Sequence, residues 1–210
     1  MKIILLLLLL LCFPAYAGDL SIEFGVGQTH FQRIKRDNYW CQAPFECDRD
    51  LTSTAWRLGL MKKASPQWSY GVAYLNLGNA TVSSLAIPSD EAYGRCAAGD
   101  RSSQGCGFGT TRFLVTERTR GFELIGKREF DDFYLRGGLY LWFHRLHARL
   151  PEHPGLEAHF NGTILAPFLG VGIERGPFFV EISYYRGLGD GGFPIAKEAW
   201  LPMIGMRFPL

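Results

Sequence analysis

Three sets of residues in this 210-residue chain have side chains that do chemistry: cysteines, histidines, and single charges set among apolar neighbours. Apart from Cys12 in the N-terminal apolar run, the cysteines are Cys41, Cys47, Cys96 and Cys106. An even number of cysteines in an exported protein points to disulfides. Four cysteines permit three pairings. The compact one joins Cys41 to Cys47 and Cys96 to Cys106, each closing a short loop. The close C-x-x-C pairs of zinc knuckles are missing, so these thiols do not read as a metal site.

Most of the histidines cluster, at His144, His147, His153 and His159. Imidazole suits zinc, copper or nickel, but the spacing is irregular and only His144 falls well inside a strand. The cluster therefore reads as solvated loop histidines, and no metal or cofactor is implied. A serine hydrolase needs a His beside a Ser, with an acid to orient it. The nearest pieces are Ser183, Glu181 and a distant His144. The glycine-rich runs lack the strand–loop–helix context of a phosphate-binding loop. Lys+Arg number 22 against 20 Asp+Glu, without the basic excess of a nucleic-acid binder.

The isolated charges are Glu23, Arg57, Glu123, Arg136, Glu174, Glu181 and Arg207. Each sits in a segment whose apolar residues recur with a period of two, the signature of a two-faced β-strand. Eight such segments are predicted, of the length that a tilted strand needs to cross a bilayer. They are Leu20–Phe31, Thr52–Lys62, Gln67–Leu77, Arg112–Ile125, Phe133–Leu146, Thr163–Glu174, Phe178–Arg186 and Ala199–Phe208. One face carries Ile22, Phe24, Leu58, Leu124, Leu139, Leu169, Ile182 and their like. The other carries Gly, Ser and the single charges.

The connections alternate long and short, with long ones at Gly78–Thr111 and after Leu146, and short ones around Pro66, Lys127–Asp132 and Gly176. In an up-and-down barrel this places the long loops at one end and both chain termini at the other. A water-soluble barrel would turn its apolar face inward, yet eight strands enclose little more than their own side chains. The apolar face therefore points out into lipid, and the charges form an interior Glu/Arg network, paired because buried charges must be. A lumen filled in this way does not conduct ions freely. Trp68, Phe130, Phe133, Phe178, Phe179 and Phe208 beside the short turns, and Tyr74, Phe143 and Trp200 toward the loops, match two aromatic girdles.

Export is written at the N-terminus. Met1-Lys2, the apolar run Ile3–Phe13, Pro14 and the small-x-small triplet Ala15-Tyr16-Ala17 have the layout of a signal peptide cleaved after Ala17. This divides the chain into a leader, 1–17, and a barrel domain, 18–210. The apolar run is short for a transmembrane anchor, and Leu10-Leu11 before Cys12 are not the small residues of a lipid-attachment site. Farther along, no stretch is long and apolar enough for a transmembrane helix.

The runs Gly121-Phe122-Glu123-Leu124-Ile125-Gly126, Phe133-Tyr134-Leu135-Arg136-Gly137-Gly138-Leu139 and Pro167-Phe168-Leu169-Gly170-Val171-Gly172-Ile173-Glu174 resemble the small outer-membrane β-barrel superfamily of outer-membrane protein A. The resemblance implies an all-β, eight-stranded antiparallel up-and-down transmembrane barrel in the outer membrane of a Gram-negative bacterium. Its partners would be outer-membrane lipid and lipopolysaccharide, with an extracellular ligand through the loops. It also implies a C-terminal signal for the barrel-assembly machinery. Ile204, Met206 and Phe208 match that signal, although Pro209 and Leu210 follow the aromatic. Some members modify lipid A, but no His-x-Ser pair lies on the lipid face. The favoured role is structural or surface-interacting, with disulfide-stapled loops; the alternatives are a lipid A-modifying enzyme and a narrow pore. Pro167 and Pro202, within strands of a closed barrel, are expected at the loop rim or at a bulge.

Overall fold

The computed structural model describes residues 20–32, 47–85, 112–151, 155, 157–187 and 198–210. The leader with its cleavage point after Ala17, and Cys41, Cys96, Cys106 and His153, lie outside the described residues. Of the cysteines, only the backbone of Cys47 is described, at the start of β2.

The strands are β1 (Leu20–Gln32), β2 (Cys47–Asp50), β3 (Thr52–Lys63), β4 (Trp68–Leu85), β5 (Arg112–Glu129), β6 (Tyr134–Arg149), β7 (Glu157–Arg175), β8 (Phe178–Arg186) and β9 (Glu198–Pro209). Every neighbouring pair is antiparallel, and β1 pairs with both β3 and β9. The sheet order is β2-β4-β3-β1-β9-β8-β7-β6-β5, and pairing of β4 with β5 closes it. β2 and β3 form one stave interrupted at Leu51, whose carbonyl accepts from Phe31 N–H at 2.8 Å. The result is an eight-stave up-and-down barrel.

The period-two alternation appears directly as alternating burial: in β8, Phe178, Val180 and Ile182 are exposed, while Phe179, Glu181, Ser183 and Tyr185 are buried. The polarity is inverted relative to a soluble barrel. The outer wall carries exposed Phe24, Leu58, Phe122, Leu165, Leu169, Val180 and Ile204, and the buried set includes Glu23, Arg57, Glu123, Arg136 and Glu181.

The strand limits differ from the sequence reading in four places, the first being β2, Cys47–Asp50, which lies in the connection expected as a loop between Phe31 and Thr52 and pairs with β4. Gly78–Leu85 was expected within a loop, yet it continues β4 after a bulge between Asn76 and Gly78, where Gly78 takes φ +86°. The bulge shifts the inward parity from Leu75 and Leu77 to Ala80 and Val82, and a strict period of two breaks there. β6 and β7 extend to Arg149 and from Glu157, so His147 and His159 are strand residues rather than loop residues. β5 runs to Glu129, into the expected turn Lys127–Asp132.

The two strand prolines fall where a donor is not needed. The β1–β9 ladder keeps its register but is unpaired between Gly27↔Met203 and His30↔Trp200, the interval that contains Pro202. Pro167 lies one residue beyond the last β7–β8 pair, Phe168↔Tyr185.

Candidate functional site: the charged lumen and the outer wall

The inner wall brings Glu23, Arg57, Glu123, Arg136, Glu174, Glu181 and Arg207 into one network, joined by Lys127 and Glu129. It has two tiers. In the upper tier Arg57 donates to Glu181 at 2.8 Å and to Glu23 at 3.0 Å. Arg136 donates to Glu181 at 3.0 Å, Glu123 at 3.1 Å and Glu23 at 3.3 Å. In the lower tier Arg207 donates to Glu174 at 2.7 Å and to Glu23 at 2.5 Å, and Lys127 to Glu174 at 2.6 Å and Glu129 at 2.9 Å. Glu23 joins the tiers: its Oε1 accepts from Arg57 and Arg136, its Oε2 from Arg207.

Hydroxyl groups complete the carboxylates. Ser183 donates to Glu181 at 2.6 Å, Tyr134 to Glu181 at 2.9 Å and Tyr185 to Glu123 at 2.7 Å. Buried charges persist only when paired and hydrogen-bonded, since desolvating each one costs several kcal/mol, on the order of the Coulombic return. Arg57 and Glu123 are each at most 1% exposed, and both meet this condition.

The inner face also carries bulk that the sequence reading did not place there. Phe179, expected in a girdle, is buried in the lumen under the Arg57 guanidinium, 5.4 Å from ring centre to Cζ. Phe168 takes the same position under Arg136 at 5.6 Å. Toward the loops Leu77, Val115, Trp142 and Leu146 are buried, and Met203 is buried directly opposite Glu181. The glycines of this face make room mainly for these side chains: a Cβ at Gly25 would strike Met203, at Gly205 the Phe179 ring, and at Gly172 the Tyr134 ring. Gly170 is the position where the Arg136 stem passes, 3.1 Å from such a Cβ.

At the turn end a cavity of about 490 Å³ opens, lined by Lys63, Ser69, Glu129, Glu174 and Arg207. Its floor is the lower tier of the network. Ser183 is engaged with Glu181, whereas His144 belongs to a different part of the lumen, 4.0 Å from Glu117.

On the outer wall the loop-end aromatics form a chain across adjacent strands. Trp56 meets Tyr74 at 5.2 Å, Tyr74 meets Phe122 at 5.4 Å and Phe122 meets Phe143 at 6.3 Å between ring centres. Tyr184 and Trp200 continue it at 4.7 Å on β8 and β9. At the turn end Phe130 and Phe133 stack at 4.7 Å, and Arg128 lies over both Trp68 and Phe130. Ile204 and Phe208 are exposed on the outer face of the last strand, with Met206 between them and half-buried. One rung beyond Phe143 toward the loops, Arg118 of β5 faces Arg145 of β6, with Arg120 and Arg149 exposed nearby.

No family model matches the chain. No curated protein matches it by sequence. Solved structures do share the fold. Ail, the attachment invasion locus protein of Yersinia pestis, crystallised with the heparin analogue sucrose octasulfate, is 16% identical, with a TM-score of 0.51 over 91% of this chain and 99% of that one. OprG of Pseudomonas aeruginosa is 13% identical, with a TM-score of 0.48 over 92% and 97%. Neisserial surface protein A is 11% identical, with a TM-score of 0.42 over 91% and 97%. The chain has the fold of the small eight-stranded outer-membrane barrels.

Proposed function

We propose that this chain is an integral outer-membrane protein whose closed, non-conducting barrel presents its loops at the cell surface and grips lipopolysaccharide through its outer wall. The observation that carries the reading is the contact of Arg136 with Glu23 at 3.3 Å. β6 and β1 are diametrically opposed staves in the order of the closed sheet. A side chain from one wall therefore reaches the other, which supports a lumen closed at this level. The exposed apolar wall between two aromatic zones supplies the complementary requirement, since only hydrocarbon covers such a belt without cost.

In this reading the leader is removed after Ala17 and the last strand, with Ile204, Met206 and Phe208, is what the assembly machinery engages. The cysteines staple the loops in the compact pairing, Cys41–Cys47 and Cys96–Cys106. Each staple contributes about 2–3 kcal/mol by restricting the unfolded loop. The Arg118/Arg145 rung lies just above the aromatic chain, at the level of anionic headgroups. Arginine is the residue suited to bidentate phosphate contact.

Planar-bilayer recording of the purified, folded protein tests the reading. Folding is checked first by heat-modifiable migration on a gel. The expected result is a heat-modifiable band with no steady channel; steady single-channel steps from folded protein would overturn it.

A further inference from the structure

We infer that His147, His159 and Glu157 form a binding site for one divalent transition-metal ion of borderline softness, Zn²⁺ above all, on the outer wall beyond the apolar belt. The inference does not depend on what the loops recognise.

The site is built by register. His147 and His159 face each other directly across β6 and β7, and Glu157 enters from the next rung but one, opposite Arg149. All three are on the outer face. Arg145 and Asn161 lie between them and the last belt rung, Phe143↔Thr163, which lifts the cluster roughly 13 Å along the strand above that rung at about 3.3 Å per residue. It stands where water and ions reach it.

The donor geometry is close to a coordination sphere. His147 Nε2 lies 3.0 Å from Glu157 Oε2, and His159 Nε2 lies 3.8 Å from the same oxygen. The three ligand atoms fall within 4.8 Å of one another. Around a tetrahedral zinc, with bonds of about 2.0–2.2 Å, neighbouring ligand atoms sit about 3.3 Å apart. His147 Nε2 is within hydrogen-bond distance of Glu157 Oε2, and His159 Nε2 stands within ion-pair distance of the same oxygen. The imidazole rings stack at 4.5 Å and 16°, and both Nε2 atoms lie near the same Glu157 oxygen. Rotation of one ring about its χ2 converges them. The His side chains are 34% and 47% exposed, which leaves that rotation open.

Two imidazoles and one carboxylate select zinc, copper or nickel over calcium or magnesium, which take oxygen ligands. The remaining position is open to water, as in three-ligand zinc sites. Arg145 and Arg149 stand nearby and oppose a cation, so the affinity expected is micromolar rather than nanomolar. A sequence reading sees only irregularly spaced histidines, because the spacing that matters is across a strand pair.

The test is Zn²⁺ titration of the folded protein, without a polyhistidine tag, in detergent micelles, read by calorimetry and by competition with a chromogenic chelator. One ion per chain is expected. His147→Gln and His159→Gln should each weaken binding at least about tenfold, and the double variant should abolish it. His30→Gln serves as the control and should leave binding unchanged. Cu²⁺ loading followed by electron paramagnetic resonance should show two nitrogen ligands, lost in the double variant. Absence of binding, or binding of equal strength in a double variant that still shows heat-modifiable migration, would overturn the inference.

Discussion

Arg136 and Glu23 stand on opposite walls of the barrel, yet their side chains meet at 3.3 Å, and Glu23 also receives Arg57 and Arg207. One carboxylate thus holds three guanidiniums from β3, β6 and β9. It lies on the seam where the first and last barrel strands pair, with Glu23 directly opposite Arg207 in the β1–β9 register. Glu23→Ala leaves three cations short of an acceptor in a site of low dielectric. The expected cost is about 3–5 kcal/mol, the range for breaking a buried pair by removing one partner. Urea unfolding in micelles, followed by loss of the heat-modifiable band, measures it. The cost should barely change between low and high salt, because buried pairs are screened far less than surface pairs. A loss below about 1 kcal/mol would mean that Glu23 is not the hub of the network.

Tyr185 tests the network from its neutral side. Its hydroxyl donates to Glu123 at 2.7 Å, and its ring stacks on Phe168 at 5.5 Å and meets Tyr140 at 5.5 Å. Tyr185→Phe keeps the rings and removes only the donor. A hydrogen bond to a charged group contributes about 1.5–3 kcal/mol, and a loss in that range is expected from the same unfolding assay. An unchanged midpoint would show that water replaces the hydroxyl without cost.

Gly25 and Met203 form a steric pair across β1 and β9. A Cβ at Gly25 would strike Met203 Cγ at 2.9 Å and approach Phe179 at 3.3 Å. Gly25→Ala should cost about 1–3 kcal/mol through overpacking. Met203→Ala alone opens a cavity and should cost about 2–5 kcal/mol. Combined, the two should cost less than their sum by at least about 0.5 kcal/mol, because the new methyl occupies space the thioether has left. Strict additivity in the double-mutant cycle would show that the clash is relieved elsewhere.

The two faces of the barrel were legible in the sequence because burial follows a period of two, and parity alone puts Glu23, Arg57, Arg136 and Glu181 on one side. Lys127 and Glu129 share the parity of Glu123 and were missed because the turn was expected to begin at Lys127. Phe168 and Phe179 were not read as lumen residues: both faces of β7 and β8 carry apolar side chains, and the contrast that reveals parity is lost. Which charges meet is not local information at all. Arg136 and Glu23 are 113 residues apart. Their meeting depends on strand tilt and on which staves are opposed. The histidine pair shows the same limit: His147 and His159 become neighbours only through the β6–β7 register.

Arg118 and Arg145 make a prediction whose sign depends on the medium. They face each other directly on the outer wall, and like charges opposite one another destabilise a sheet by a few tenths to about 1 kcal/mol. In detergent without lipopolysaccharide, Arg118→Gln should therefore leave stability unchanged or raise it slightly. In bilayers that contain lipopolysaccharide, the phosphates turn the repulsion into a two-armed contact. There the Arg118→Gln/Arg145→Gln double variant should lose stability relative to the parent by about 1–3 kcal/mol, in line with charge-assisted hydrogen bonds. Thermal unfolding in the two media, side by side, reads the difference. The gain from lipopolysaccharide should shrink with added salt, as it must for an exposed electrostatic contact. Equal behaviour of parent and double variant in both media would remove this rung from the lipid-binding surface.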